Sequence, residues 1–528
     1  MTGLLHDHLP VLPVLLPLLT AALLLVLGDG TEEGGRGLAR TRAIALVATT
    51  ASLVLAMLLV AQAAQGGWSV YRLGDWPAPF GIVLVVDRLS ALMVLLTQLV
   101  ALPAVLYAGQ GWDARGRHFH AVLQLQLMGL NGAFVTGDVF NLFVFFEVLL
   151  IASYVLVVHG QGRERFRFGV PYVVLNLAAS GLFLLGVALL YAVTGTLNLA
   201  DLAQRVEQVP REDLALLRTG GVLLLVVFGF KAALLPLHLW LPGTYAAAGA
   251  PVAALFAVMT KVGAYAILRV HGVVFGDGAG EAARLVEPWL LPVALASSVV
   301  AVLGALAAGT LQRLAGWLTI GSVGTVLAAF GLFTPQAWSA GLYYLVHSTL
   351  VAAALFLLFD LLVLQRGAQL EPSQRLLQPT RLGILMLVLA ASVAGLPPLP
   401  GFLGKLMILQ AAGGPAQPWV WAVLLGVGFL TLLGLARAGS IVFWSPEAAP
   451  QGDCERAGGR RMLALLLLTG LLAGMVVAAS PLQRYADAAA AQLLDREGAA
   501  RAVLGEWSRN AVRPYPPPPV ATPAGGHR

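Results

Sequence analysis

The chain has 528 residues, 59% of them hydrophobic and only 11% charged, with a formal net charge of +6. Soluble domains carry about 25% charged residues, so a soluble globular fold is excluded, and apolar runs of about 18 residues or more recur along the whole length as in a polytopic helical membrane protein. One cysteine, Cys454, rules out a disulfide framework or a cysteine-held iron–sulfur or zinc centre, and no phosphate loop or dinucleotide fingerprint follows a strand pattern.

The first apolar run, LPVLPVLLPLLTAALLLVLG, has spanning length and no small-residue cleavage pattern after it, so it reads as a retained helix. About fourteen spans are expected, near 9–28, 41–64, 89–108, 119–137, 138–159, 169–194, 215–241, 251–271, 289–309, 314–333, 339–365, 380–412, 419–443 and 461–480. Between the second and third, WSVYRLGDWPAPFGIVLVVD alternates and turns at Pro and Gly, the pattern of a short extracytoplasmic hairpin. The segment from Pro481 is polar and partly amphipathic, and it closes on a low-complexity tail, YPPPPVATPAGGHR.

Arginines gather in the connectors after odd-numbered spans: Arg36, Arg40 and Arg42; Arg115 and Arg117; Arg163, Arg165 and Arg167; Arg366, Arg375 and Arg381; Arg456, Arg460 and Arg461. By the positive-inside rule both termini then lie outside the cytoplasm. Arg205 and Arg211, after the sixth span, blur this pattern, but acidic residues accompany them.

Two spans carry internal breaks. The seventh reads KAALLPLHLWLPGTYAAAGAP, with Pro236 and Pro242, and the twelfth reads AGLPPLPGFLGKLMIL, with Pro397, Pro398 and Pro400. Proline frees a backbone carbonyl, which lipid does not tolerate unless protein or water satisfies it. Paired interruptions in two halves of a chain point to a transporter built from repeats.

Of the 32 basic residues only three are lysines, Lys231, Lys261 and Lys405, and all three sit in apolar stretches. Arginine keeps its proton, whereas burial brings lysine into a range where it can release one. Glu147, within FVFFEVLL, is the matching acid, because an ionised carboxylate in hydrocarbon costs several kcal/mol and needs a partner. With His347 on the eleventh span these groups form a candidate proton relay, in which Glu147 and Lys231 would act as an electrostatic switch. His238, Asp138 and Asp360 are accessory candidates. Plainer roles stand beside each: a structural ion pair for Glu147, snorkelling for a lysine, a hydrogen-bonded core position for His238 and His347, and helix capping or an interfacial place for Asp138.

The runs TGDVFNLFVFFEVLLIASYVLVVHG, VPYVVLNLAASGLFLLGVALLYAVTGTLNLADLA, FGFKAALLPLHLWLPGTY, APVAALFAVMTKVGAYAILRV and GLPPLPGFLGK resemble the D subunit of Mrp-type multisubunit cation/proton antiporters. That superfamily is shared with the antiporter-like subunits of respiratory complex I. The resemblance covers roughly residues 9–480. It implies an all-α polytopic fold of about fourteen transmembrane helices, with two inverted five-helix repeats and broken helices seven and twelve. The implied division is residues 1–118 for three N-terminal helices and the hairpin, 119–272 and 289–443 for the repeats, and 461–528 for the last helix and tail. It further implies a bacterial inner-membrane location and a proton path through Glu147, Lys231, Lys261, His347 and Lys405. The expected partners are the other subunits of a hetero-oligomeric antiporter complex, protons and sodium, in a lipid bilayer, with no cofactor, metal or nucleic acid.

One departure is visible. Many relatives place a lysine five residues after the histidine, and here HSTLVAAALF puts Ala352 there. The alternatives are a proton-pumping subunit of a complex I-type redox-driven assembly and a scaffold subunit without its own ion path.

Overall fold

The computed structural model describes residues 7–28, 35–444 and 455–505. Each of the fourteen expected segments is helical in it. The first six helices are α1 (Leu12–Leu27), α2 (Arg36–Ala64), α3 (Arg88–Ala108), α4 (Phe119–Val135), α5 (Val139–Val158) and α6 (Arg163–Thr194). The expected hairpin is present, with β1 (Ser69–Arg72) antiparallel to β2 (Val83–Val86) and Ser69 opposite Val86. A short helix, α7 (Leu199–Arg205), follows α6.

The seventh span is two helices, α8 (Leu214–Lys231) and α9 (Trp240–Ala247), with non-helical backbone between them. α10 (Ala250–Ile267) runs on into a π-helical stretch, Leu268–Val274. Then come α11 (Glu287–Leu306), α12 (Leu311–Phe330) and α13 (Pro335–Arg366). The twelfth span is likewise divided, into α14 (Pro379–Ala394) and α15 (Pro400–Ala411), and α16 (Gln417–Trp444) and α17 (Gly459–Val477) complete the apolar set. Eleven helical segments among the described residues are long and apolar enough to cross a membrane, and α1 and α14 are shorter apolar helices.

The polar segment after α17 folds into α18 (Ala479–Leu494) and α19 (Arg496–Leu504). α18 buries Ala486, Ala489, Ala490 and Leu493, one stripe of an amphipathic helix. Ser339 Oγ on α13 donates to Asp487 Oδ1 of that helix at 2.5 Å. The tail YPPPPVATPAGGHR and Cys454 lie outside the described residues.

Two helices form the centre. Every residue of α10 is buried, and α13 is buried over most of its length. Helices that are apolar all round belong in such a position. α10 also comes very close to the break in the seventh span. A Cβ on Gly263 would lie 2.6 Å from both Ala232 N and Phe228 O, so only glycine permits the approach.

Candidate functional site

Glu147 lies midway along α5 and is half-buried. Ser180 Oγ of α6 donates a short hydrogen bond to its Oε1. Lys231 is the last residue of α8, where the unpaired carbonyls of a helix terminus favour a cation. Its Nζ donates to Asn176 Oδ1 at 2.7 Å and lies 6.0 Å and 5.8 Å from the ring centroids of Phe146 and Phe230. Asn176 Nδ2 in turn donates to Tyr172 O at 2.7 Å, which fixes the amide with its oxygen toward the lysine.

The expected Glu147–Lys231 pair is therefore not a direct contact. Among the described residues no ion pair joins the two, and Asn176 and Ser180, one turn apart on α6, hold one charge each. Neither residue stands out in VLNLAAS. A polar pair spaced by four on a mostly apolar helix is the signal that could have found them.

Lys261, on α10, is fully buried. Its Nζ donates to Ser322 Oγ of α12 at 3.0 Å, and the Ser322 hydroxyl donates onward to Thr319 O at 2.7 Å. Ser322 also lines a cavity of about 40 Å³ together with Tyr344, His347, Ala352 and Lys405. A space of that size holds a water molecule or two. His347 Nε2 is 3.0 Å from Ser392 Oγ of α14, and its Nδ1 has no hydrogen-bond partner among the described residues.

Lys405, on α15, donates to Val393 O at 3.0 Å and to Ala394 O at 2.9 Å. These are carbonyls at the broken end of α14, where Gly395 turns the chain with φ 86°. The lysine thus satisfies the groups that the break exposes, at the end of a half-helix that carries negative partial charge. Gly401 brings α15 against the same end. A Cβ there would collide with Ser392 O and fall 2.8 Å from His347 Cε1.

The accessory candidates are placed differently. Asp138 is the N-cap of α5, its Oδ1 accepting from Asn141 N at 2.8 Å. His238 lies in the break between α8 and α9 and does not line the cavity that holds His347 and Lys405, but its ring is 5.7 Å from that of Trp317, which does. Asp360 lies on α13 and accepts from Tyr107 OH of α3 at 2.6 Å.

Sequence reasoning also missed two buried ion pairs that brace the bundle. Arg269 reaches both oxygens of Asp87 at 2.5 Å. Burial alone would raise the Asp87 carboxyl, but Arg269 and bonds from Ser90 bring it below its ordinary value. Arg42 holds both oxygens of Asp113 at 2.6 and 2.7 Å, and His120 Nε2 lies 2.9 Å from Oδ2.

The family described as NADH:quinone oxidoreductase/Mrp antiporter, TM, matches residues 136–433, which include all five relay candidates. The D subunit of a probable K(+)/H(+) antiporter of Rhizobium meliloti (strain 1021) is 40% identical, over 92% of this chain and 96% of its own length. The D subunit of the Na(+)/H(+) antiporter of Bacillus subtilis (strain 168) is 36% identical, over 95% of this chain and 100% of its own.

The chain belongs to the D-subunit family of Mrp antiporters.

Solved structures place that D-subunit fold in several assemblies. A chain of the Mrp complex from Dietzia sp. DQ12-45-1b superposes with a TM-score of 0.83 at 28% identity, covering 95% of this chain and 100% of that one. A chain of the archaeal membrane-bound sulfane sulfur reductase also scores 0.83, at 25% identity, over 94% and 99%. A chain of respiratory complex I from Thermus thermophilus scores 0.74 at 26% identity, over 92% and 99%. The breaks in the seventh and twelfth spans and the buried lysines therefore sit in a D-subunit frame.

Proposed function

We propose that this chain is the proton-translocating subunit of a multisubunit monovalent cation/proton antiporter in a bacterial inner membrane, with both termini outside the cytoplasm. It works as a secondary transporter rather than an enzyme, beside other subunits of a hetero-oligomeric complex. Protons pass along Glu147, Lys231, Lys261, His347 and Lys405, with serine hydroxyls, the Asn176 amide and water between them. Residues 119–272 and 289–443 act as two inverted repeats, each with a broken helix that carries a lysine. The cation expected from the sequence is sodium, and the named relatives include both a sodium and a potassium antiporter subunit.

The observation that carries this reading is the bond from Lys261 to Ser322, which also lines the cavity shared by His347 and Lys405. A buried lysine with a hydroxyl partner and no carboxylate can exchange its proton at accessible cost, whereas an ion pair would hold it. Cation-driven proton flux in vesicles containing the complete complex is the test. Glu147→Gln and Lys261→Ala should each abolish flux while the complex still assembles, and full flux in either variant would remove that residue from the relay. Co-purification with iron–sulfur or flavin subunits would instead favour a redox-driven pump.

A further inference from the structure

Two cavities are stacked along α13. His347, Ser348, Val351, Ala352 and Leu355 face the small one already described. Phe356 and Asp360, further along the helix, face a second, of about 270 Å³. Leu355, on the first cavity, and Phe356, on the second, are consecutive and only 1% and 2% exposed. From Ala352 to Asp360 the helix rises only about 12 Å.

The second cavity is polar and opens among connector arginines. Arg115 and Arg165 lie 4.7 and 4.9 Å from the ring centroid of Trp112. Arg461 also lines the space, held by Glu455 at 3.0 Å and by Gln110 O at 2.7 Å. Trp112 Nε1 and Arg165 Nε are buried donors at its wall without a partner among the described residues. Such donors make the cavity a place for water, and its volume has room for roughly nine molecules.

Asp360 lines this space. Its Oδ2 accepts from Tyr107 OH at 2.6 Å, and among the described residues no guanidinium forms an ion pair with it. A carboxylate used only as a brace would be clamped, as Asp87 is by Arg269 and Asp113 by Arg42. Asp360 instead keeps an oxygen free of charged partners beside a wet cavity. The charged and titratable groups around it are Tyr107, Tyr245, Arg115, Arg165 and Arg461, with Glu455 behind the last.

We propose that Asp360 is the proton-exchange group between the buried relay and the arginine-rich side of the chain. The inference rests on the relay proposed above. In the transfer, an N–H bond or a water O–H bond on the relay side breaks and an O–H bond forms on the free oxygen of Asp360. That bond then breaks as cavity water takes the proton, and the carboxylate is restored. Phe356 is the partition, its ring packed edge-on to Tyr245 at 6.0 Å, and its displacement joins the two spaces.

The test uses the complete complex in everted vesicles, with sodium and with potassium as the driving cation. Asp360→Asn should cut proton flux at least about tenfold with whichever cation the complex transports, and Asp360→Glu should retain most of it. Phe356→Ala should open a proton leak in the absence of driving cation, which a purely structural role for Phe356 and Asp360 would not produce. Wild-type flux in Asp360→Asn alongside a dead Lys261→Ala would overturn this inference and leave the relay standing. A fully active Lys261→Ala would instead refute the relay. If Asp360→Asn does not assemble, the leak decides, and a leak-free Phe356→Ala overturns the inference.

Discussion

Lys231 donates its ammonium to Asn176 at 2.7 Å and leaves Glu147 to a hydroxyl on the next turn of the same helix. The acid and the base are therefore held apart by α6. In the proposed switch, release of either bond would let the two charges approach, and each would then stabilise the charged form of the other.

Asn176→Ala should lower flux strongly, because it leaves a buried ammonium without its acceptor, at a cost of about 1–3 kcal/mol or more. Asn176→Asp places a fixed anion against Lys231 and should hold its proton there. The second variant is expected to assemble normally and still transport poorly, as read by cation-driven flux against the yield of intact complex.

At Lys405, charge and proton release can be separated. Lys405→Arg keeps a cation at the carbonyls of Val393 and Ala394 but does not release a proton at any working pH. It should preserve thermal stability and abolish transport. Lys405→Ala should lose both, since the end of α14 is left with unsatisfied carbonyls. Melting curves of the purified complex and flux assays on the same preparations distinguish the two outcomes.

Gly263→Val should damage the contact between α10 and the break after Lys231. The added carbon would meet Ala232 N and Phe228 O at 2.6 Å, and backbone cannot step aside as a flexible side chain would. Overpacking of this kind costs about 1–3 kcal/mol. A lower melting temperature with reduced flux is the expected result, and an unchanged melting temperature would show that the helices are not so closely seated.

The Arg42–Asp113 pair gives a pH dependence with a definite sign. Burial alone would raise the Asp113 carboxyl, but Arg42 and His120 bring it from 3.8 down to about 2. Its folded value is depressed, so its stabilisation is fully present above pH 3.8 and is lost as pH falls through about 2. Asp113→Asn should melt earlier than the parent at pH 7, and the gap should narrow only below about pH 4. Thermal melts from pH 7 to pH 3 check both parts.

Much of the site was legible because charges inside apolar runs are conspicuous. Glu147, the three lysines and both proline breaks could be read directly, and the helices fall where the apolar runs place them. Asp138 at the head of an apolar run was legible as a cap for the same reason. Asn176, Ser180, Ser322 and Ser392 were not, because neutral polar residues are common in such helices and only packing decides which of them meets a charge. Tyr107 and Asp360 are 253 positions apart, and nothing local to either predicts that they touch. The direct Glu147–Lys231 contact was expected because opposite charges attract, and that argument does not see a third helix standing between them.

The seat of Lys405 has a mechanical side. As an ammonium it offers three hydrogens and a full charge to the two carbonyls it touches; as an amine it offers two hydrogens and no charge. In the relay proposed above, each departure of a proton would therefore slacken the joint between α14 and α15, and each return would tighten it. Such a joint turns an electrical event into a small movement of a whole helix, and a neighbouring chain could feel that movement without exchanging a proton with this one.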